Sequence, residues 1–313
     1  MSATLLTSTP QGDQSRPRTR LRRGRLLRAI RTNRKAAVGV VLLLAFTIPA
    51  VVPQWFTSVK DPNAHQFGLM LPPSGAHPLG TTAFGQDIFA QLVWGTRQSL
   101  VIAVVVGGLA TVLAVLVGVS AAYLGGATDG VLSSVTDIFL VIPTFPLIIV
   151  IAAYAGKGNV MVIIAVLVVT GWSYGARQLR AQALSLRNRD FLESARVRGE
   201  RSSYIIVFEV LPTMTSLILA TFLGAAVYAV LTAAGLQFIG LGDTNSLSWG
   251  TMLYWAQNNS ALQTGQALWV VAPGVCVALL GASFALLNYA FDEISNPALR
   301  SVRRRSGAKR SAS

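Results

Sequence analysis

The sequence predicts an all-α polytopic membrane protein with six transmembrane helices. Hydrophobic residues make up 52% of the 313 residues and charged residues only 12%, about half the share of charge in a soluble domain. Residues 98 to 128 and 210 to 242 carry no charge, and a bilayer core needs about 20 apolar residues in a helix. These long uncharged stretches indicate transmembrane helices rather than one soluble core.

The basic residues are clustered. Of the 26 Lys and Arg, ten lie in residues 16–35, seven in 177–201 and six in 300–310. Such clustering in particular loops follows the positive-inside rule, so the net charge of +14 does not indicate nucleic-acid binding. The pattern predicts that both termini and residues 177–212 lie in the cytoplasm.

The N-terminal 35 residues form a basic tail. Residues 21–30 are predicted to form a short amphipathic helix on the membrane lipid. No A-x-A cleavage site follows the first apolar run, which argues against a secretory signal. We therefore expect an uncleaved first helix.

The six spans are predicted at residues 36–54, 98–123, 133–155, 159–179, 213–235 and 267–291. This divides the chain into four parts: a cytoplasmic tail (1–35), the first helix with an external loop (36–97), a core of five helices (98–291) and a second cytoplasmic tail (292–313). The core contains a cytoplasmic loop at 180–212. Asp137, Pro143 and Gln237 are the candidates for a pathway or gating role. Asp137 and Pro143 lie in the third predicted span, where charged residues and prolines are unusual, and Gln237 follows the fifth.

Two external loops flank this core. Ile88, Phe89, Leu92 and Val93 have helical spacing and predict a short helix lying at the membrane interface. The aromatic residues of the second loop are expected to be headgroup-level anchors; they are Trp249, Tyr254 and Trp255.

The sequence offers little catalytic apparatus. The only Gly-Lys pair, Gly156-Lys157, lacks the P-loop pattern that would bind a nucleotide. HExxH, GxSxG and CxxC are also absent, and Cys276, His65 and His77 are too few for a metal cluster. The chain is therefore expected to be neither an enzyme nor the holder of a cofactor or metal.

One charged stretch interrupts the apolar chain, DFLESARVRGERSSYIIVFEVLP at 190–212. It predicts a short helix with Phe191, Leu192, Ala195 and Val197 on its apolar side, a break at Gly199 and an apolar return to the membrane. An exposed apolar face ringed by charge is typical of a docking surface for a soluble partner. A basic loop resting on anionic lipid is the alternative.

Within this stretch, ESARVRGERSSYIIVFEVLP resembles the EAA loop of ABC-importer permeases. The matching positions are Glu193, Ser194, Ala195, Gly199, Leu211 and Pro212. HPLGTTAFGQDIF, RAQALSLRNRDFLESAR, and LQFIGLG followed by SWGTML are similar to segments of the C-type subunit of the dipeptide/oligopeptide/nickel importer family. The resemblance runs in order from about residue 24 to 299.

The resemblance implies a type I ABC-importer permease (MetI-like) fold in a bacterial inner membrane. It also implies a second homologous permease, two cytoplasmic ABC ATPases that bind ATP and Mg, and an external substrate-binding protein. The six matching residues would couple this chain to the ATPases, and the chain would form half of the translocation pore for a peptide-like solute.

The sequence departs from the family pattern at four positions. Ser194 replaces an alanine, and Arg198 replaces an apolar residue, so the docking surface is expected to suit its own partner. Gln86 stands where arginine is common, and Ala233 where many members carry an acid. The last two changes favour a neutral solute such as an oligosaccharide. A nickel chelate is a further alternative, and an ATPase-independent channel or scaffold is the alternative from another class.

Overall fold

A computed structural model of the chain describes residues 33–154 and 160–295, and of 292–295 only the backbone. The predicted amphipathic helix at 21–30, residues 155–159 at the junction of the third and fourth predicted spans, and nearly all of both basic tails lie outside the described residues.

The described chain is built from helices, with one isolated bridge between Thr81 and Asp87. In chain order the helices are α1 (Arg34–Val51), α2 (Ile88–Leu124), α3 (Gly126–Val141), α4 (Thr144–Tyr154), α5 (Val160–Gly171), α6 (Ser173–Leu186), α7 (Asp190–Val197), α8 (Ser202–Thr213, including a π turn at Ile206–Val210), α9 (Thr215–Phe238), α10 (Trp249–Asn258) and α11 (Ala267–Ser295). A short 3₁₀ turn at Pro53–Trp55 follows α1.

Within residues 33–154 and 160–295, five spans are long and apolar enough to cross a membrane: α1, α2, α5 with α6, α9 and α11. A sixth is obtained if α3 and α4 form one span, although their axes differ by 87°. The predicted fold class of six spans is confirmed in this sense.

The third predicted span is broken rather than continuous. Ile142 has φ −63° and ψ 129°, an extended conformation, because Pro143 follows it and disfavours helical geometry at the preceding residue. The expected helix at 133–155 is therefore two helices that meet at Ile142 and Pro143.

The predicted interfacial helix at residues 88–93 is wrong. Ile88 begins α2, a single helix of 37 residues, and its side chain is fully buried. The Asp87 side chain caps this helix by accepting a hydrogen bond from the Ala90 amide at 2.7 Å, which satisfies one free amide of the first turn. The second span therefore begins about ten residues earlier than hydropathy alone places it.

The long helix α2 lies at the centre, with α6 and α9 packed along it. Gly118 permits the close approach to α6, since a Cβ there would lie 2.3 Å from the Ala176 carbonyl oxygen. The two ends of the bundle differ in composition. We call the end with residues 52–87 and α10 the loop end, and the end with the α2–α3 turn, α7 and α8 the arginine-rich end.

Candidate functional site

The helix predicted to dock a partner is α7, which ends at Val197. Beyond it Gly199 has φ +78°, a conformation that glycine adopts without steric cost. Its amide donates to the Arg196 carbonyl at 2.9 Å, and the Glu200 amide donates to the Ala195 carbonyl at 3.3 Å. No described atom lies within 4 Å of a Cβ built on Gly199. The requirement for glycine here is therefore one of backbone conformation rather than of space.

The two faces of α7 differ from the sequence prediction. Leu192 and Ala195 are fully buried in a core cluster with residues of α2 and α6. Phe191 and Val197 are 38% and 84% exposed. The expectation that these four residues share one exposed apolar face is wrong. Residues three apart occupy the same face of a helix, and here that stripe turns inward.

The six motif residues are divided between surface and core. Glu193 and Ser194 are exposed on α7, whereas Ala195 is buried. Leu211 packs against the same core cluster as Ala195, and Pro212 is exposed on α8. The structure thus presents Glu193 and Ser194 outward, while Ala195 and Leu211 hold α7 and α8 against the bundle.

Arg198 lies between two acids of its own chain. Its guanidinium is 3.8 Å from Glu200 and 3.9 Å from Glu209, and the Arg198 side chain is 54% exposed. Glu209 belongs to α8, so this arginine links the end of α7 to the helix that returns to the membrane. Contacts this long at an exposed site contribute little stability.

Asp137 lies on α3 and accepts a hydrogen bond from Arg177 of α6 at 2.5 Å. Both side chains are more than half exposed, at 58% and 60%. The contact makes Asp137 one partner of an ion pair between α3 and α6.

A central cavity of about 520 Å³ lies where the α3–α4 break and the α5–α6 break face α9. Thr144, next to Pro143, lines it. Among the described residues that line it, none carries a formal charge; the polar ones are Thr144, Thr170, Ser173, Tyr174, Gln178, Thr221, Tyr228 and Asn288. Interrupted helices at membrane depth are tolerated where they border a cavity. The cavity offers hydroxyl and amide groups to a passing solute.

Two of these polar groups show how the cavity wall is satisfied. The hydroxyls of Thr170 and Tyr228 are 3.0 Å apart, so they bond to each other across α5 and α9. The Oδ1 atom of Asn288 on α11 is buried and has no hydrogen-bond partner among the described residues. A buried acceptor without a donor is costly, so the cavity wall keeps one unmet acceptor.

Gln237 lies elsewhere, at the loop end of α9. It is 3% exposed, and its Oε1 accepts a hydrogen bond from the Ser248 hydroxyl at 2.8 Å. Its Nε2 has no partner among the described residues. The three pathway candidates are therefore not brought together: Pro143 adjoins the central cavity, whereas Asp137 and Gln237 do not line it.

A second, loop-end cavity of about 360 Å³ lies between residues 63–91 and 244–269. Gln86 and Gln91 line it, and the Gln91 amide donates to Gln86 Oε1 at 2.8 Å. Trp255 and Trp269 add aromatic faces. Its described lining contains no carboxylate, lysine or arginine, so this cavity also suits neutral groups.

The expected headgroup anchors are only partly where the sequence places them. Trp249 is fully buried, and its indole nitrogen donates to the Leu92 carbonyl at 3.0 Å. Its prediction as an interfacial anchor is wrong, because it joins α10 to α2 inside the protein. Tyr254 and Trp255 are partly exposed, and Trp255 donates to the Thr244 carbonyl at 3.0 Å.

Sequence reasoning missed the polar lining of the central cavity. The available signal was the presence of hydroxyl and amide residues inside otherwise apolar spans, at Thr170, Thr221 and Asn288. It is a weak signal, because threonine hydroxyls in a helix are often satisfied by their own backbone. Thr221 does this, donating to the Leu217 carbonyl at 2.9 Å.

A family comparison covers the regions just described. Residues 110–300 match the family described as "Binding-protein-dependent transport system inner membrane component". The match includes α7 and α8, and it includes every described residue that lines the central cavity.

Individual relatives match over most of the chain. An "Oligopeptide transport system permease protein OppC" of Mycobacterium tuberculosis is 32% identical over 290 residues, covering 90% of this chain and 97% of the relative. A "Putative peptide transport system permease protein" of Brucella abortus is 31% identical, with 87% and 91% covered. A "Dipeptide transport system permease protein DppC" of Alkalihalophilus pseudofirmus is 30% identical, with 87% and 88% covered.

Proposed function

Since the chain belongs to the family of binding-protein-dependent transport system inner membrane components, we propose that it is a permease subunit of an ATP-driven ABC importer. In this proposal it forms half of the translocation pore for a peptide-like solute. It is a multi-pass membrane protein and does not itself hydrolyse ATP.

The proposed partners follow from this role. A second homologous permease completes the pore, two ABC ATPases with ATP and Mg dock at the arginine-rich end, and a substrate-binding protein delivers the solute at the loop end. The arginine-rich end then faces the cytoplasm, which agrees with the positive-inside rule for residues 177–201. Both terminal basic tails lie on the same side.

One observation supports this coupling role above the others. Glu193 and Ser194 project from α7, and the left-handed Gly199 turns the chain from α7 into α8. The buried Leu192 and Ala195 fix α7 to the bundle core. A helix with an exposed outer side and a buried inner side transmits a push from a docked ATPase to the spans.

The proposed solute is a peptide, because the named relatives are peptide, oligopeptide and dipeptide permeases. An oligosaccharide is the second candidate. It is favoured by one observation, the absence of carboxylates, lysines and arginines from the described linings of both cavities. Neutral sugars need aromatic faces and hydroxyl or amide partners, and the loop-end cavity provides both.

The test compares two glycines that have the same backbone strain. Gly199 (φ +78°) and Gly265 (φ +83°) both have open space around a built Cβ. Valine at either position is strained by a similar amount, since β-branched residues disfavour positive φ. We expect Gly199→Val to lower uptake and substrate-stimulated ATP hydrolysis by about tenfold, and Gly265→Val at the loop end to leave both within about twofold.

The measurement uses proteoliposomes that contain the chain with its co-purified permease, ATPases and binding protein. Isotope-labelled di- to pentapeptides and a labelled neutral trisaccharide are offered in parallel, which decides between the two solutes. Purification without ATPases would instead support a channel or scaffold. Equal uptake by Gly199→Val and the native chain would contradict the coupling role.

A further inference from the structure

Four of the seven arginines between residues 177 and 201 contact the hairpin formed by α2 and α3. We call them the arginine ladder: Arg177 contacts Asp137, Arg180 contacts Asp129, Arg187 lies against Gly125, and Arg196 stacks on the ring of Tyr123. The order of the arginines along α6 and α7 is the reverse of the order of their partners. The two segments therefore run antiparallel and are joined at four successive levels.

The strongest level is the pair of Arg180 and Asp129. Arg180 Nε donates to one carboxylate oxygen of Asp129 at 2.6 Å, and its Nη2 donates to the other at 2.7 Å. The Ser133 hydroxyl donates to the same carboxylate at 3.1 Å. The side chains are 34% and 22% exposed. A two-pronged, partly buried pair of this kind is stronger and more directional than a single exposed contact.

The ladder continues to the docking helix. Arg187 follows the last residue of α6, and its guanidinium nitrogens lie 2.8 Å from where a Cβ built on Gly125 would be. Arg196 on α7 lies 5.4 Å from the centre of the Tyr123 ring and donates to the Arg187 carbonyl at 2.9 Å. A displacement of α7 is therefore transmitted to the end of α2 and to α6 through direct contacts.

Helix α3 has few other attachments within the described chain. Thr136 is its only buried residue, and Val131, Ile138 and Val141 are 63%, 58% and 82% exposed. Its hydrophobic packing within this chain is concentrated at Phe139, which packs against the core cluster with its ring centre 5.4 Å from that of Trp172. Its strongest polar anchor to α6 is the partly buried contact of Asp129, and the exposed contact of Asp137 is the weaker one.

At its C-terminal end α3 meets the break at Ile142 and Pro143, beside the central cavity. Phe139 and Leu140, in the last turn of α3, line that cavity. A rotation of α3 about the break would thus widen or narrow the cavity at the arginine-rich end. The Ile142 amide donates to the Ile138 carbonyl at 3.1 Å and so completes the last turn of α3. Pro143 has no N–H and adds no backbone hydrogen bond across the break, so the extended Ile142 is a suitable hinge.

We propose that the Arg180–Asp129 pair is the positioning contact through which movement of α7 sets the angle of α3 and so the width of the central cavity. This rests on the proposed coupling of α7 to an ATPase. Neither residue lines the central cavity. Their role is to make α3 follow α6 and α7 as one body while α4 stays behind.

The test is a charge exchange in the full complex. We expect Asp129→Arg and Arg180→Asp each to lower solute uptake by about tenfold, while basal ATP hydrolysis and co-purification of the ATPases are retained. The double variant Asp129→Arg with Arg180→Asp should recover uptake to within about threefold of the native chain. The same charge exchange at the exposed pair of Asp137 and Arg177 is the matched control, and we expect it to change uptake by less than about threefold.

Hydrogen exchange of the α3 amides is measured in the same samples. It should rise about tenfold in each single variant and fall again in the double variant. Rescue in both readouts supports the proposal. The proposal is overturned if the single variants keep native uptake and native hydrogen exchange. It is also overturned if the double variant assembles but its uptake is as low as that of the less active single variant.

Two further results are also decisive. If a charge-exchanged chain does not assemble, Asp129→Asn, which keeps the shape and removes the charge, decides the question. A loss of uptake of about threefold or more supports the proposal, and no loss overturns it. If the native complex shows no uptake at all, the proposed function fails, whereas the exchange pattern of α3 still tests the positioning contact.

Discussion

The two ends of this helix bundle are held together by different kinds of contact. At the loop end, residues 52–87 are joined mainly by hydrogen bonds between neutral groups, such as the 2.8 Å bond from Gln86 Nε2 to the Asn63 carbonyl and the 3.0 Å bond from the Trp94 indole to the Val59 carbonyl. At the arginine-rich end, guanidinium groups and carboxylates face each other, exposed in the pair of Arg177 and Asp137 and partly buried in the pair of Arg180 and Asp129. This difference indicates that the loop end keeps a fixed shape, whereas the exposed ion pairs of the arginine-rich end are rearranged at lower cost.

The reason is physical. Neutral hydrogen bonds of the backbone depend on short distances and good angles, and losing one leaves an unsatisfied group behind. Exposed ion pairs exchange their partners for water and salt ions with little net loss. An end that must follow a moving partner is better served by the second kind of contact.

The largest expected effect comes from a single methyl group at the loop end. Gly85 has φ +71°, and a Cβ there would lie 2.4 Å from the Phe67 carbonyl oxygen. Gly85→Ala adds both strain and a backbone clash, so we expect a loss of about 2–4 kcal/mol, seen as a lower melting temperature of the purified complex. Gly75→Ala, where no described atom lies within 4 Å, is the control. A tolerated Gly85→Ala would contradict the view of a rigid loop end.

A smaller effect is expected at the start of α2. Asp87 is 5% exposed, accepts from the Ala90 amide at 2.7 Å and lies 2.7 Å from His77 Nδ1. Asp87→Ala removes the helix cap and the His77 partner together, at a cost of about 1–2 kcal/mol. Asp61→Ala, at an exposed turn where the carboxylate accepts only from the Asn63 amide, serves as the control and should change the melting temperature much less. Equal shifts in the two variants would show that Asp87 is not a structural cap.

The smallest expected effect is a difference between the two ends in how their hydrogen exchange responds to salt concentration. Raising the salt concentration from about 0.05 M to about 1 M shortens the screening length from over 10 Å to about 3 Å. We expect hydrogen exchange of α3 and α7 to rise by about twofold to threefold, while exchange in residues 59–87 stays unchanged. A uniform response along the chain would remove the proposed contrast between the ends.

The sequence was sufficient for much of the fold. Long uncharged runs locate the spans, and Gly199 marks the end of α7, because hydropathy and glycine conformation are local properties. The start of α2 was missed because Gln91, Thr96 and Arg97 lower the hydropathy of turns that are nevertheless helical. A hydropathy window detects the part of a helix that lies in lipid, and it does not detect how far the helix continues beyond the lipid.

The candidate site was less predictable, since it depends on contacts between distant residues. The arginines of 177–201 mark one side of the membrane in a charge count, but Arg180 and Asp129 are 51 positions apart, and nothing in the sequence pairs them. Trp249 was misplaced for a related reason. A buried tryptophan that donates to a carbonyl of another helix has the same local sequence as one that anchors at the headgroups.

The length of α2 has a consequence for the surrounding lipid. At 1.5 Å per residue its 37 residues extend for about 55 Å, against a hydrocarbon core of about 30 Å. The helix is unbroken from the Asp87 cap to Gly125, so no kink at a break shortens it. It meets the mismatch by tilting, by projecting beyond the bilayer or by thickening the lipid around it. Because α2 runs from the loop end to the arginine-rich end, a change in the acyl-chain length of the lipid affects both ends of the protein at once.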